Sequence, residues 1–220
     1  MGIIEKNVVT DIDGNSYNGV QIGTQFWLVE NLNVTRYRNG DKLEERWVPQ
    51  ELGACFYYKN REENGKLFGK LYNWYAISDP RGLAPEGYHI PTDEEWKILI
   101  EFLGGDQYSL ENGDENEINK TPKFVVTTEE SDFKGLPGGN CSGEAFGRFS
   151  DIGQFGNWWS NSELGNTNSW NRTTNEIDFF SKIEIVDYYV PMNFNISLAI
   201  SNEEEYNNKR RGFSVRCIRD

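Results

Sequence analysis

Apolar and polar positions along the chain follow two periods, and each predicts its own elements. Near the start, Val8-Val9-Thr10-Asp11-Ile12 meets a polar break at Asp13-Gly14-Asn15, and Tyr17-Asn18-Gly19-Val20-Gln21-Ile22 resumes an extended pattern. Asp-Gly between β-forming runs predicts a hairpin, because glycine supplies the positive φ of a tight turn. Gly23-Thr24 predicts a second turn, into Phe26-Trp27-Leu28-Val29. A helical period appears twice. Residues 69–77 place Leu71, Trp74 and Tyr75 at i, i+3, i+4. After Pro91, Thr92 and Glu95 have capping-box spacing, and Trp96, Leu99, Ile100 and Leu103 form one apolar stripe ending at Gly104-Gly105.

From Asp106 to Asp132 the chain is acidic and without firm period, apart from a short strand expected at Lys123-Phe124-Val125-Val126. A turn cluster at 135–140 leads to Asn157-Trp158-Trp159-Ser160. Adjacent tryptophans on a strand point to opposite faces, so one belongs to the core and the other covers a second layer or meets a ligand. In the last strand Phe213, Val215 and Cys217 share one face, and Ser214, Arg216 and Ile218 the other. Strands at both ends, two helices early and loop-rich strands later predict an α+β fold. No repeat, linker or shift in composition divides residues 1–220, which read as one domain.

Charge narrows the partners. With 22 Lys+Arg against 35 Asp+Glu the net charge is −13, which opposes the counterion-release term of nucleic-acid binding. No apolar run is long enough for a membrane helix. The opening Met-Gly-Ile-Ile-Glu-Lys-Asn has no basic-then-apolar layout of a secretion signal, so synthesis in the cytoplasm stays open.

Three cysteines (Cys55, Cys141, Cys217) and a single histidine, His89, do not form the spacing of a zinc site. Asp11-Ile12-Asp13-Gly14-Asn15 mimics the opening of a calcium loop, but Ser16 stands at its sixth position and Ile22 at its twelfth, so a turn is expected. The acidic 106–132 stretch, with Asp106, Glu111, Asp114, Glu115 and Glu117, leaves room for a structural calcium; no other cofactor or metal is expected.

An ordered set of short matches carries a resemblance. It comprises Thr10-Asp11-Ile12-Asp13-Gly14-Asn15-x-Tyr17, Ile22-Gly23-x-Gln25-x-Trp27 and Glu30-Asn31-Leu32. It continues with Gly69-x-Leu71-Tyr72-Asn73-Trp74-Tyr75-Ala76, Pro85-x-Gly87-Tyr88-His89-Ile90-Pro91-Thr92-Asp93-x-Glu95-Trp96 and Leu136-Pro137-Gly138-Gly139. Trp158-Trp159-Ser160 and Gly212-Phe213-Ser214-Val215-Arg216-Cys217-Ile218-Arg219 complete it. From about Val8 to Asp220 the chain resembles the Fibrobacter succinogenes major paralogous domain.

The resemblance implies a C-type-lectin-like fold, related to formylglycine-generating enzymes, with the two terminal strands paired in one sheet and a long loop-rich region facing the ligand. It implies a bacterial surface or secreted protein, and no enzymatic activity. Family members that carry a cysteine just before Pro-x-Gly can bridge it to the terminal-strand cysteine; here that position is Ala84, which leaves Cys217 without its usual partner.

Function is expected in residues 157–208, where asparagines and aromatics alternate and together offer hydrogen bonds and stacking faces. A glycan or protein ligand is expected there, at Asn161, Asn168, Trp170, Asn171, Arg172, Tyr188, Asn193 and Asn195. The same asparagine richness suits a retroelement-diversified receptor. A copper oxidase of the formylglycine-generating type would require Cys141 and Cys217 to meet. Trp158, Trp159, Phe213, Val215 and Arg216 are assigned to the scaffold, Arg216 with a carboxylate partner. His89 is expected to be a hydrogen-bonded structural residue.

Overall fold

The computed structural model describes residues 2–46, 51–103, 125–126, 133, 135–142, 148–154, 156–164, 168–175, 194–199 and 208–220. For 125–126, 163–164, 168–175, 194–199 and 208 it describes the backbone alone. In chain order the strands are β1 (Ile4–Thr10), β2 (Ser16–Ile22), β3 (Gln25–Leu28), β4 (Cys55–Phe56), β5 (Leu71–Tyr72), β6 (Tyr88–His89) and β7 (Val125–Val126). They continue with β8 (Asn140–Cys141), β9 (Phe149–Ser150), β10 (Gly156–Leu164), β11 (Asn168–Asn175), β12 (Phe194–Ala199) and β13 (Ile218–Arg219). The helices are α1 (Glu62–Phe68), α2 (Trp74–Ile77) and α3 (Asp93–Phe102), with 3₁₀ turns at Tyr58–Asn60 and Asn208–Arg210. The fold is mixed α and β, built on antiparallel sheets.

The opening hairpin forms as its turn chemistry dictates. Asp11 Oδ1 accepts from the backbone N–H of Asp13 and of Asn15, and Gly14 takes φ +88°. Asp11 Oδ2 accepts from the Tyr17 hydroxyl at 2.6 Å, so these carboxylate oxygens serve the turn. β1, β2 and β3 run antiparallel, and β13 inserts between β3 and β6 in the order β1-β2-β3-β13-β6. Ile218 pairs with Trp27 on one side and His89 on the other. Head and tail of the chain thus share one sheet, as the resemblance implies.

Period-two alternation divides this sheet between two cores. Tyr17, Phe26, Leu28, Phe213, Val215 and Cys217 pack in one cluster with Trp74 and Trp159. Val20, Ile22, Trp27 and Ile218 pack in the other, with Trp96, Leu99 and Ile100 of α3 and with Trp158. α3 starts as expected: Thr92 accepts from the Glu95 backbone N–H, and Glu95 Oε2 accepts from the Thr92 N–H, a complete capping box. Its last helical residue is Phe102; Gly104 and Gly105 lie outside the described residues.

Residues 212–214 join the smaller sheets to the scaffold. Phe213 bridges Tyr72 of β5, Gly212 bridges Cys141 of β8, and Ser214 bridges Trp158 of β10. The polar face of this segment is as dry as the apolar one: Ser214 and Arg216 are both fully buried.

Three expectations are corrected. Among the described residues there are three α-helices, not two: α1 starts with Glu62 and Glu63 in its first turn, where the helix dipole favours acid, and Gly65 lets the Tyr57 ring approach. The single helix expected over 69–77 is instead a strand and one helical turn. Leu71 and Tyr72 pair with β4, Asn73 then caps Ala76, and α2 follows. The 157–208 region is not loop throughout, since β10, β11 and β12 run through it. The short strand expected at 123–126 is present as β7.

Candidate functional site

The strand β10 begins inside the protein and leaves it. Trp158 and Trp159 are both 0% exposed, one in each core. Both are therefore core, the second tryptophan covering a second layer. Each indole N–H is satisfied within the protein: Trp158 Nε1 donates to Asn31 Oδ1 at 2.8 Å and Trp159 Nε1 to the Tyr72 carbonyl at 2.6 Å. Ser160 remains buried, and Asn161 is exposed. The Asn161 N–H donates to the Pro91 carbonyl and Ser162 Oγ accepts from the Asp93 N–H, which fastens the emerging strand to the start of α3.

β11 pairs antiparallel with β10, placing Arg172 opposite Trp158 and Asn171 opposite Trp159. β12 then pairs with β11, and β7 with β12. The β11–β12 register runs without irregularity from Asn171↔Ala199 to Asn175↔Asn195. Because a strand alternates faces, Asn168, Trp170 and Arg172 lie on one face of this sheet. Asn171 and Asn195 lie on the other. The candidate ligand residues of β11 and β12 therefore form two sets rather than one surface. Tyr188 and Asn193 lie outside the described residues, as do the acidic 106–117 positions considered for calcium.

A buried polar centre that the sequence pattern did not single out holds the root of β10. Asn31 Oδ1 accepts from Trp158 Nε1 and from Arg216 Nε and Nη2, while Asn31 Nδ2 donates to the carbonyls of Phe68 and Leu136. Arg216 also donates through Nη1 to the carbonyls of Leu28 and Phe133, and its guanidinium stacks over the Phe133 ring. These hydrogen bonds go to carbonyl and amide oxygens. Burial pushes its pKa down to about 9, against the pull of the Glu30 charge, so it stays charged at neutral pH.

The remaining reactive groups are buried or hydrogen-bonded within the protein. Cys55, Cys141 and Cys217 are buried free thiols, each pushed up to about 12 by burial. Cys141 packs with Phe56, Tyr58 and Leu71, in a different cluster from Cys217. His89 has the structural partners expected of it: Nε2 lies 2.8 Å from Glu95 Oε1 and Nδ1 2.8 Å from Asp220 Oδ1. Among the described residues no group of three or more His, Cys, Asp or Glu side chains is placed to hold a metal ion. No helix among them is long and apolar enough to cross a membrane.

Residues 20–219 match the family model of the Fibrobacter succinogenes major domain, nearly the whole chain. The chain belongs to this family. Neither a curated protein nor a solved structure matches it. In this Fibrobacter succinogenes major domain the motif residues that carry the resemblance are those that hold the fold: Asp11 and Tyr17 in the hairpin, Asn31 beneath Trp158, Asn73 at α2, Glu95 at α3. The candidate surface on β11 and β12 lies outside these motifs.

Proposed function

We propose that this domain is a non-catalytic recognition module of C-type-lectin-like architecture, displayed on a bacterial surface or secreted, that binds a glycan or a protein surface through the sheet carried by β10. The terminal strands sharing one sheet, with α3 packed on it, support the architecture. The observation that carries the binding function is β11. Asn168-Ser169-Trp170-Asn171-Arg172-Thr173-Thr174-Asn175 has too few apolar positions to fill a core, yet it is held in register between two strands. Tryptophan and arginine are the residues most enriched at binding hot spots. Asn and Thr beside them supply directional hydrogen bonds, and a strand rooted in two cores presents them with little ordering cost on binding.

The test is a glycan and cell-surface binding screen of the whole chain, with variants on both sheet faces. Loss of binding in Trp170→Ala and Arg172→Ala, with Asn171→Ala and Asn195→Ala unaffected, assigns the site to the first face. The reverse pattern assigns it to the second. Equal binding by wild type and all four variants removes the site from this sheet.

A further inference from the structure

His89 lies between two carboxylates, and the donor count at its ring has a consequence. It is 35% exposed, on the edge strand β6, with Glu95 Oε1 at 2.8 Å from one ring nitrogen and Asp220 Oδ1 at 2.8 Å from the other. An ionised carboxylate only accepts hydrogen bonds, and a neutral imidazole has a single N–H to give. Only the doubly protonated ring satisfies both partners. Each partner is itself anchored. Glu95 Oε2 holds the Thr92 N–H and hydroxyl at the start of α3, and the Asp220 N–H donates to the Gly87 carbonyl.

The other charged groups on the elements around His89 are already engaged or lie in the adjoining turn. Lys97 pairs with Asp93 and Glu94. Arg219 stacks on Phe26 and donates to the Tyr88 hydroxyl. Glu86 stands in the turn that leads into β6.

We propose that His89 is a proton-operated latch: as imidazolium it ties Asp220, which follows β13, to the first turn of α3, and loss of one proton lets one of the two carboxylates go. Asp220, the more exposed of the two and not held by the Thr92 cap, is the one released, and with it the end of β13. That strand lies between β3 and β6, so the latch controls local opening of the strand that closes the main sheet. Burial opposes the charge, but the hydrogen bonds to Asp220 and Glu95 and their charges outweigh it and raise the pKa above the ordinary 6.5. The sign follows by linkage. A raised folded-state pKa contributes stability that is complete below pH 6.5 and is lost as the pH climbs through the folded value.

Because His89 is the only histidine, its ring gives a single set of NMR signals. Long-range ¹H–¹⁵N spectra of the whole chain should show both nitrogens protonated at pH 6.5 and a titration midpoint above that pH. Asp220→Asn and Glu95→Gln should each move the midpoint down; Asp220→Asn leaves the capping box intact and serves if Glu95→Gln folds poorly. Amide exchange at residues 218–220, corrected for intrinsic rates, should speed up above the midpoint in wild type and lose that pH dependence in His89→Gln. A midpoint at or below 6.5, a single protonated nitrogen at pH 6.5, or a midpoint unmoved by Asp220→Asn overturns the latch.

Discussion

Asn31 and Asn33 stand two residues apart and should respond to alanine in opposite ways. Asn31→Ala removes the acceptor of Trp158 Nε1 and of two Arg216 donors, and strips the carbonyls of Phe68 and Leu136 of the amide that serves them. Neutral buried hydrogen bonds contribute about 1 kcal/mol each, and those to a charged group about 1.5–3 kcal/mol. Three neutral bonds and a weakened guanidinium therefore sum to about 5 kcal/mol. Sharing one side chain makes these terms non-additive, so about 3–5 kcal/mol is expected. Against a typical total of about 5–15 kcal/mol, that leaves a marginal protein. Among the described residues Asn33 Oδ1 is buried without a partner, so Asn33→Ala removes an unmet polar atom and should cost less than about 0.5 kcal/mol. Urea unfolding followed by tryptophan fluorescence reads both, as shifts in midpoint at constant slope. An Asn31→Ala midpoint close to wild type, or an equal loss in Asn33→Ala, would refute the hydrogen-bond accounting.

Gly69→Ala should destabilise by more than about 2 kcal/mol, because φ is +72° and a Cβ there would fall 2.6 Å from the Leu32 carbonyl oxygen; thermal melts check it. The three thiols should not react with an aromatic disulfide reagent in the native protein at pH 8 and should all react in denaturant, since burial keeps each protonated. Rapid native labelling of any one would contradict its burial. Asp13 is opposed by burial, but hydrogen bonds from Thr35 and Arg36 hold its pKa below the ordinary 3.8. Its contribution is thus present above pH 3.8 and lost as pH falls through the lower folded value, so Asp13→Asn should flatten the acid limb of a melting-temperature profile.

How much of this was legible depended on whether the cause was local. The hairpin at Asp13-Gly14 and the capping box at Thr92 and Glu95 are set by residues within a few positions, and both formed as read. The paired tryptophans were legible as opposite-facing, because strand geometry requires it. That both faces would be core depended on α3 and on Phe213, which pack against them from elsewhere in the chain. The 69–77 helix was misread because its apolar spacing fits either period, and β4, sixteen residues upstream, decided for a strand at Leu71. Asn31 stood out only as part of a family motif: between Glu30 and Leu32 it has no local role to read until its partners, from Phe68 to Arg216, come together. For the candidate surface, composition pointed to this region, but only the presence of the strand β11 places Trp170 and Asn171 on different faces.

The bridges made by residues 212–214 and the insertion of β13 have a consequence for assembly. Four separate sheets meet at this stretch. Without it the polypeptide can form its local hairpin and its capped helix but cannot close the main sheet between β3 and β6. A product that lacks residues 212–220 would leave Trp27, Trp158 and Trp159 without their closing neighbours, an open species that proteases can distinguish from the closed one.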